Sequence, residues 1–168
     1  MHVLRDRIPP VILDAYLSQY GCEIEPDCLC FEEPYQAAAA CVPKDYAIVD
    51  CGCYMAPQAY LFEAYPVYLG IDCYEASPTV RNLRRFETRN SIMLEGKIQD
   101  LVGRILNPGK CYALCIGVPD ESAWDAVRKR FPNHLIWYPA RPTEATGVGK
   151  EAILSCLHQL FKKERANP

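Results

Sequence analysis

Two acidic residues stand where apolar runs end, Asp50 after Tyr46–Val49 and Asp72 after Val67–Ile71. A carboxylate in the second position can accept hydrogen bonds from both hydroxyls of a ribose, as acidic residues do in dinucleotide sites. The separation of the two residues is close to the interval of about twenty residues found in those sites. The spacing therefore predicts a site for a nucleotide-type ligand.

A glycine follows the first of these runs, in the sequence Asp50-Cys51-Gly52. Glycine lets a backbone approach a ligand closely, and a helix that follows such a turn offers free N–H groups. The alternative interpretation is structural, because an Asp after a buried strand is often the N-cap of the next helix and Gly52 can serve the turn alone. Both interpretations stay open at this stage.

The elements that must position these residues alternate along the chain. Five apolar runs predict strands, over residues 46–50, 67–72, 91–94, 110–116 and 134–138. Helical patterns predict helices over residues 10–20, 35–42, 57–65, 77–86, 97–106, 120–131 and 146–163. This alternation indicates βαβ units, and hence an α/β, three-layer Rossmann-like fold with a mostly parallel five-stranded sheet. Ligands in such folds bind at the carboxyl ends of the strands, where Asp50 and Asp72 stand.

The length of 168 residues fits one domain. We expect a single Rossmann-like domain with an N-terminal helical extension over residues 1–45, a core over 46–138 and a C-terminal helix within 139–168. The pattern predicts no further strand after the fifth.

The composition excludes several classes of function. A formal net charge of −3 is not that of a general nucleic-acid binder. No apolar stretch is long enough to cross a membrane, and the charged start does not resemble a signal peptide. We therefore expect a cytoplasmic protein, and the sequence leaves a homodimer open.

The chain carries ten cysteines. Those inside apolar runs are expected to be reduced and to behave as small hydrophobic side chains. Cys51 and Cys53 are predicted to lie near a helix N-terminus, which lowers a thiol pKa. Zinc binding is the alternative for the first six, but their Cys-x-Cys pairs differ from a zinc knuckle, so we expect no metal site; these six are Cys22, Cys28, Cys30, Cys41, Cys51 and Cys53.

Together, Asp50, Gly52 and Asp72 resemble the class I S-adenosylmethionine-dependent methyltransferases, over roughly residues 46–138. That family ends its first strand with an acidic residue and Gly-x-Gly, and its second strand with an acidic residue. The run from Glu95 to Leu101 is similar to the family's Gly-Asp-x-x-x-Leu segment.

The resemblance implies a set of ligand contacts. Asp50 and Gly52, with Cys51 between them, would contact the methionine part of S-adenosylmethionine, and Asp72 the ribose. The remaining cofactor-binding positions that it implies are Gly96 and Gly117.

Two functions remain open. The first is a small methyltransferase-like protein that binds S-adenosylmethionine or a related nucleoside. The acceptor, a small molecule or a protein, would be held by the loop Gly117–Asp120, and the reaction would depend mainly on positioning; no catalytic residue is identified. The second is a non-catalytic module for protein interaction. It is favoured by Tyr54 and Lys97, which stand where the family has Gly and Asp.

Overall fold

The computed structural model describes residues 32–53, 56, 58–73, 88–139 and 141–166. The predicted helices over 10–20 and 77–86 lie outside the described residues. So do several residues singled out above, which are Cys22, Cys28, Cys30 and Tyr54.

Six strands form one mostly parallel sheet in this part of the chain. They are β1 (Ala47–Cys51), β2 (Tyr68–Asp72), β3 (Ser91–Glu95), β4 (Cys111–Ile116), β5 (His134–Trp137) and β6 (Glu144–Thr146). The helices are α1 (Glu32–Cys41), α2 (Ile98–Leu101), α3 (Glu121–Arg130) and α4 (Lys150–Ala166).

The strand order is β3-β2-β1-β4-β5-β6. β1 pairs in parallel with both β2 and β4, so the order reverses between β1 and β4. β2 with β3 and β4 with β5 are also parallel, and β6 alone of the six runs antiparallel, beside β5. The predicted α/β, Rossmann-like fold class is confirmed. The switch point between β1 and β4 is where such sheets bind ligands.

The sheet has one more strand than predicted. Residues 144–146 form β6, whereas the sequence predicted a helix from 146, and α4 begins only at Lys150. The run Glu-Ala-Thr is too short and too polar to stand out as a strand. Gly147 and Gly149, with φ of +74° and +73°, then separate β6 from α4, because a helix cannot pass through that conformation.

Two predicted helices are shorter than expected. In the described part of the segment 57–65, residues 58–65, the regular structure is a 3₁₀ turn, Ala59–Phe62, which lies between two prolines in the sequence. The segment 97–106 divides into α2 and a 3₁₀ turn, Val102–Arg104, around Gly103. Glycine and proline lower helix stability, and short helices persist only where packing supports them.

The core lies on both faces of the sheet, because successive strand residues point to opposite sides. On one face Ile48 and Tyr68 pack with Tyr35 of α1 and Ile153 of α4. On the other face Val49, Ile71 and Ala113 of the strands pack with α2 and with Trp124 and Val127 of α3. Among the described residues, every helix is too short or too polar to traverse a lipid bilayer.

Candidate functional site

The carboxyl group of Asp50 lies inside the core. It is 0% exposed, because Asp50 follows Ile48 on the face that α1 covers. It accepts hydrogen bonds from Tyr35 Oη at 3.0 Å and Gln58 Nε2 at 2.6 Å, and the hydroxyl of Tyr68 donates a third. These hydrogen bonds fix the position of Asp50 and hence of the turn that follows β1. The predicted contact between Asp50 and a ligand stays a prediction.

Burial raises the pKa of Asp50 to about 6, because an apolar environment disfavours a charged carboxylate. The hydrogen bonds from Tyr68, Gln58 and Tyr35 oppose that rise, since they stabilise the charged form. The negative charge of Asp72 adds to the rise, which connects this buried group electrostatically with the end of β2.

Cys51 lies on the opposite face of the sheet and is also buried. Burial raises the pKa of its thiol well above the ordinary value, and the neighbouring Cys115 and Asp50 raise it further. The prediction that Cys51 has a lowered pKa is therefore wrong. Desolvation outweighs any effect of the following turn, and the residue is a neutral core thiol.

Gly52 forms a turn that only glycine adopts easily. Its φ is +83°, and its N–H donates to Ile71 O at 2.7 Å, which ties the turn to β2. A Cβ at this position would lie 2.3 Å from Val118 Cγ2. Val118, from the loop after β4, therefore packs directly on the glycine, and Ile98 lies nearby. The two side chains therefore occupy the space in front of the turn at Gly52.

Asp72 ends β2 at the carboxyl edge of the sheet, where it is partly exposed. Its Oδ1 accepts a hydrogen bond from the N–H of Cys73 at 2.6 Å. Gly96, with φ of +152°, follows the neighbouring strand and donates its N–H to Asp72 O at 2.8 Å. The carboxylate and the glycine turn are thus adjacent.

Gly117 begins the loop after β4 and has φ of +74°. Its N–H donates to Trp137 O at 2.8 Å, which fixes the start of the loop to β5. We call the turns at Gly52, Asp72–Gly96 and Gly117 the carboxyl rim. The structure brings these predicted residues to one edge of the sheet, whereas the side chains of Asp50 and Cys51 point into the two core layers.

Hydrogen bonds join the segments that follow β3 and β4, from α2 to the start of α3. Gln99 Nε2 donates to Asp120 Oδ2 at 2.7 Å and to Ser122 Oγ at 2.5 Å. Asp120 caps α3, because its Oδ1 accepts from the N–H of Ser122 at 2.9 Å. The hydroxyl of Ser122 is the main cause of a lowered pKa of Asp120.

Trp124 holds the same loop from the side of α3, since its Nε1 donates to Val118 O at 2.9 Å. The contacts of Gln99, Val118 and Trp124 were not predicted from the sequence. Each contact joins segments that are distant in the sequence or lies within an irregular loop, so periodicity gives no signal for it.

Within the described ranges, the side chains of His, Cys, Asp and Glu form no group of three or more that could hold a metal ion. Seven cysteines in those ranges are free thiols, and three of the ten in the chain lie outside them.

Comparisons with known proteins establish the fold. No protein-family model and no curated protein matches this chain. A putative caffeoyl-CoA O-methyltransferase from Staphylococcus aureus superposes with a TM-score of 0.51 at 8% identity, over 79% of this chain and 67% of that chain. The chain has the Rossmann-like fold of class I methyltransferases.

Two further solved structures are similar. EvdMO1 superposes with a TM-score of 0.52 at 13% identity, over 93% of this chain and 42% of that chain. The structure of CalS10 with bound S-adenosylmethionine, an amino pentose methyltransferase from Micromonospora echinaspora, gives 0.47 at 14% identity, over 78% of this chain and 58% of that chain. The chain spans about three fifths or less of the length of these two proteins.

Proposed function

We propose that this methyltransferase-like protein binds S-adenosylmethionine or a related nucleoside at the carboxyl rim. The observation that carries the proposal is the partly exposed carboxylate of Asp72 at the end of β2, beside the glycine turn at Gly96. In this arrangement Asp72 accepts hydrogen bonds from the ribose hydroxyls. The turn at Gly52 lets the backbone approach the methionine part.

Asp50 has an indirect part in this proposal. Its carboxyl group is enclosed by Tyr35, Gln58 and Tyr68, so it holds the turn in place rather than reaching the ligand. Val118 must move away from Gly52 before a ligand can lie against that turn, because its methyl group packs there.

Methyl transfer requires little from the protein beyond alignment of the two reacting groups. The enzyme brings the acceptor into line with the sulfonium methyl group, and such positioning can supply much of the rate enhancement. The loop Gly117–Asp120 is the proposed place of the acceptor, a small molecule or a protein. The free thiols of the described residues support the proposed cytoplasmic location.

Calorimetric titration with S-adenosylmethionine and S-adenosylhomocysteine tests the proposal. We expect binding by the wild type, and a loss of about tenfold or more in affinity for Asp72→Ala, since charged hydrogen bonds contribute roughly 1.5–3 kcal/mol. Asp45→Ala is the matched control, because Asp45 is an exposed carboxylate that pairs with Lys110 before β1 begins. Absence of binding by the wild type at millimolar ligand would contradict the proposal.

The second candidate is a non-catalytic interaction module. It is favoured by the packing of Val118 on Gly52 and by the hydrogen bonds from Gln99 that join α2 to the start of α3. Lys97, which stands where the resembled family has Asp, is exposed. A chain that binds neither nucleoside, in the wild type or in Val118→Ala, would fit this candidate.

A further inference from the structure

A groove follows the outer edge of β6, between the two helices that flank the end of the sheet. Its volume is about 550 Å³, and it is lined by Trp124 and Arg128 of α3, by residues of the segment 141–146, and by Lys150 and Leu154 of α4. β6 is an end strand of the sheet, so within the described residues no strand covers this side. We call this feature the edge groove.

The hydrogen bonds between β4 and β5 fix which backbone groups face β6. The carbonyl of Asn133 accepts from the N–H of Ala113 at 3.0 Å, and that of Trp137 accepts from Gly117 at 2.8 Å. The backbone groups of alternate strand residues point to opposite sides. The backbone N–H and C=O groups of the odd-numbered residues of β5 therefore point towards β4, and those of the even-numbered residues point towards β6.

The same alternation directs the backbone of Ala145 outward. His134 and Ile136 face β6, where their partners are Thr146 and Glu144. In an antiparallel ladder these opposed residues exchange hydrogen bonds, and the residue between them does not. The N–H and C=O groups of Ala145 therefore point away from β5, into the edge groove.

Ala145 is only 6% exposed. Its N–H and C=O groups point away from β5, and no other described residue forms a hydrogen bond with them. Buried backbone groups are paired in the great majority of cases. A donor and an acceptor that are held side by side on an end strand match the pattern that an added strand recognises.

The charges around the edge groove favour an acidic partner. Lys150 has no ion pair among the described residues and lies at the start of α4, where the helix dipole is positive. Arg141 pairs with Glu121 at 3.1 Å, but both side chains are exposed, so this pair contributes little. Arg128 is already neutralised by Glu144, with Nη2 and an oxygen 2.8 Å apart.

We propose that the edge groove binds an extended peptide segment of a partner protein, which adds a strand to β6. The backbone of this segment pairs with Ala145, and its acidic side chains lie near Arg141 and Lys150. A second copy of this chain is a poorer occupant. Its own Arg141 and Lys150 would approach the same two residues of the first copy, and like charges repel.

A labelled synthetic peptide tests this interaction by fluorescence polarisation. The probe is Ser-Glu-Val-Thr-Val-Glu-Ser, and its control has Lys in place of both Glu residues. We expect the full chain to bind the acidic peptide at least about tenfold more tightly than the basic one, as opposite charges across an interface select partners. Absence of binding by the acidic peptide at millimolar concentration, or equal binding of the two peptides, would overturn the proposal.

Two variants separate the backbone contact from the charges. Ala145→Pro removes the outward N–H and leaves the hydrogen bonds to β5 intact, and proline is tolerated on edge strands. It should abolish binding of the acidic peptide at an unchanged melting temperature. The double variant Arg141→Glu/Lys150→Glu keeps the backbone and should reverse the preference towards the basic peptide, so the proposal stays testable if Ala145→Pro fails to fold.

Other occupants give other results. A wild-type dimer in light scattering that Ala145→Pro separates would assign the groove to a second copy. Full displacement of the peptide by inorganic phosphate would indicate a small-anion site. Unchanged peptide binding by folded Ala145→Pro would show that binding depends on charge and not on the backbone of Ala145. Each of these results would overturn the peptide proposal.

Discussion

Asp50 places a carboxyl group among tyrosine and glutamine side chains beneath the candidate site. The ordinary pKa of an aspartate is 3.8, and burial raises that of Asp50 to about 6. Between these two values the folded state holds a proton that the unfolded chain has released. The stabilisation by this proton is therefore complete below the ordinary pKa and is lost as the pH rises through about 6.

This difference predicts a pH dependence of stability. From about pH 4 to about pH 7.5, ionisation of Asp50 should reduce the free energy of unfolding by roughly 2 kcal/mol. Asp50→Asn cannot ionise, and its amide can stay hydrogen-bonded to the surrounding hydroxyls, so this component should disappear. Urea denaturation at both pH values measures it, with Asp45→Asn as the exposed control. An equal pH dependence in wild type and Asp50→Asn would contradict the assignment.

A second prediction at the scale of residues concerns Gly52 and Val118. Gly52→Ala should lower the free energy of unfolding by about 1–3 kcal/mol, because a side chain at positive φ is strained and would also meet Val118. Val118→Ala should recover the part of this loss that comes from the contact, whereas the strain would remain. A double-mutant cycle by urea denaturation measures the coupling. Additive effects would show that the two residues do not press on one another.

At the scale of elements, the success of sequence reasoning depended on burial. β1 and β4 were predicted because a central parallel strand is covered on both faces and therefore reads as an apolar run. For the same reason, the sequence did not show which side of the sheet the side chain of Asp50 enters. When both faces of a strand are buried, alternation does not tell which layer a side chain enters.

Elements with few apolar residues were predicted less well. β6 has three residues, and its position depends on pairing with β5 rather than on any pattern of its own. The segment after β3 kept its predicted place but became α2 and a 3₁₀ turn, since Gly103 weakens the helix. The positions of Gly52 and Asp72 on the carboxyl rim followed from the predicted topology alone. The contacts of Val118 and Gln99 could not be predicted, because they join segments that are distant in the sequence.

At the scale of the whole molecule, the sheet is buried unequally from its centre to its edges. All six residues of β4 are buried, whereas β3 contains none that is buried and exposes Ile92 by 51%. Local opening requires less free energy where little apolar surface is covered. The rim residue Gly96 follows the weakly buried strand, and Gly117 follows the well-buried one.

This gradient predicts the order of amide hydrogen exchange. Amides of β1 and β4 should exchange only through global unfolding, and those of β3 should exchange faster by about tenfold or more, which is a difference of about 1.4 kcal/mol in opening free energy. Mass spectrometry of peptides spanning each strand measures this order. If S-adenosylmethionine binds at the carboxyl rim, it should slow exchange at the end of β3 and also in β1 and β4, because a ligand that binds only the folded state raises the free energy of global unfolding. Equal protection of β3 and β4 in the free protein would contradict the gradient. Slowing of exchange at β6 without slowing at the end of β3 would locate the nucleoside in the edge groove instead.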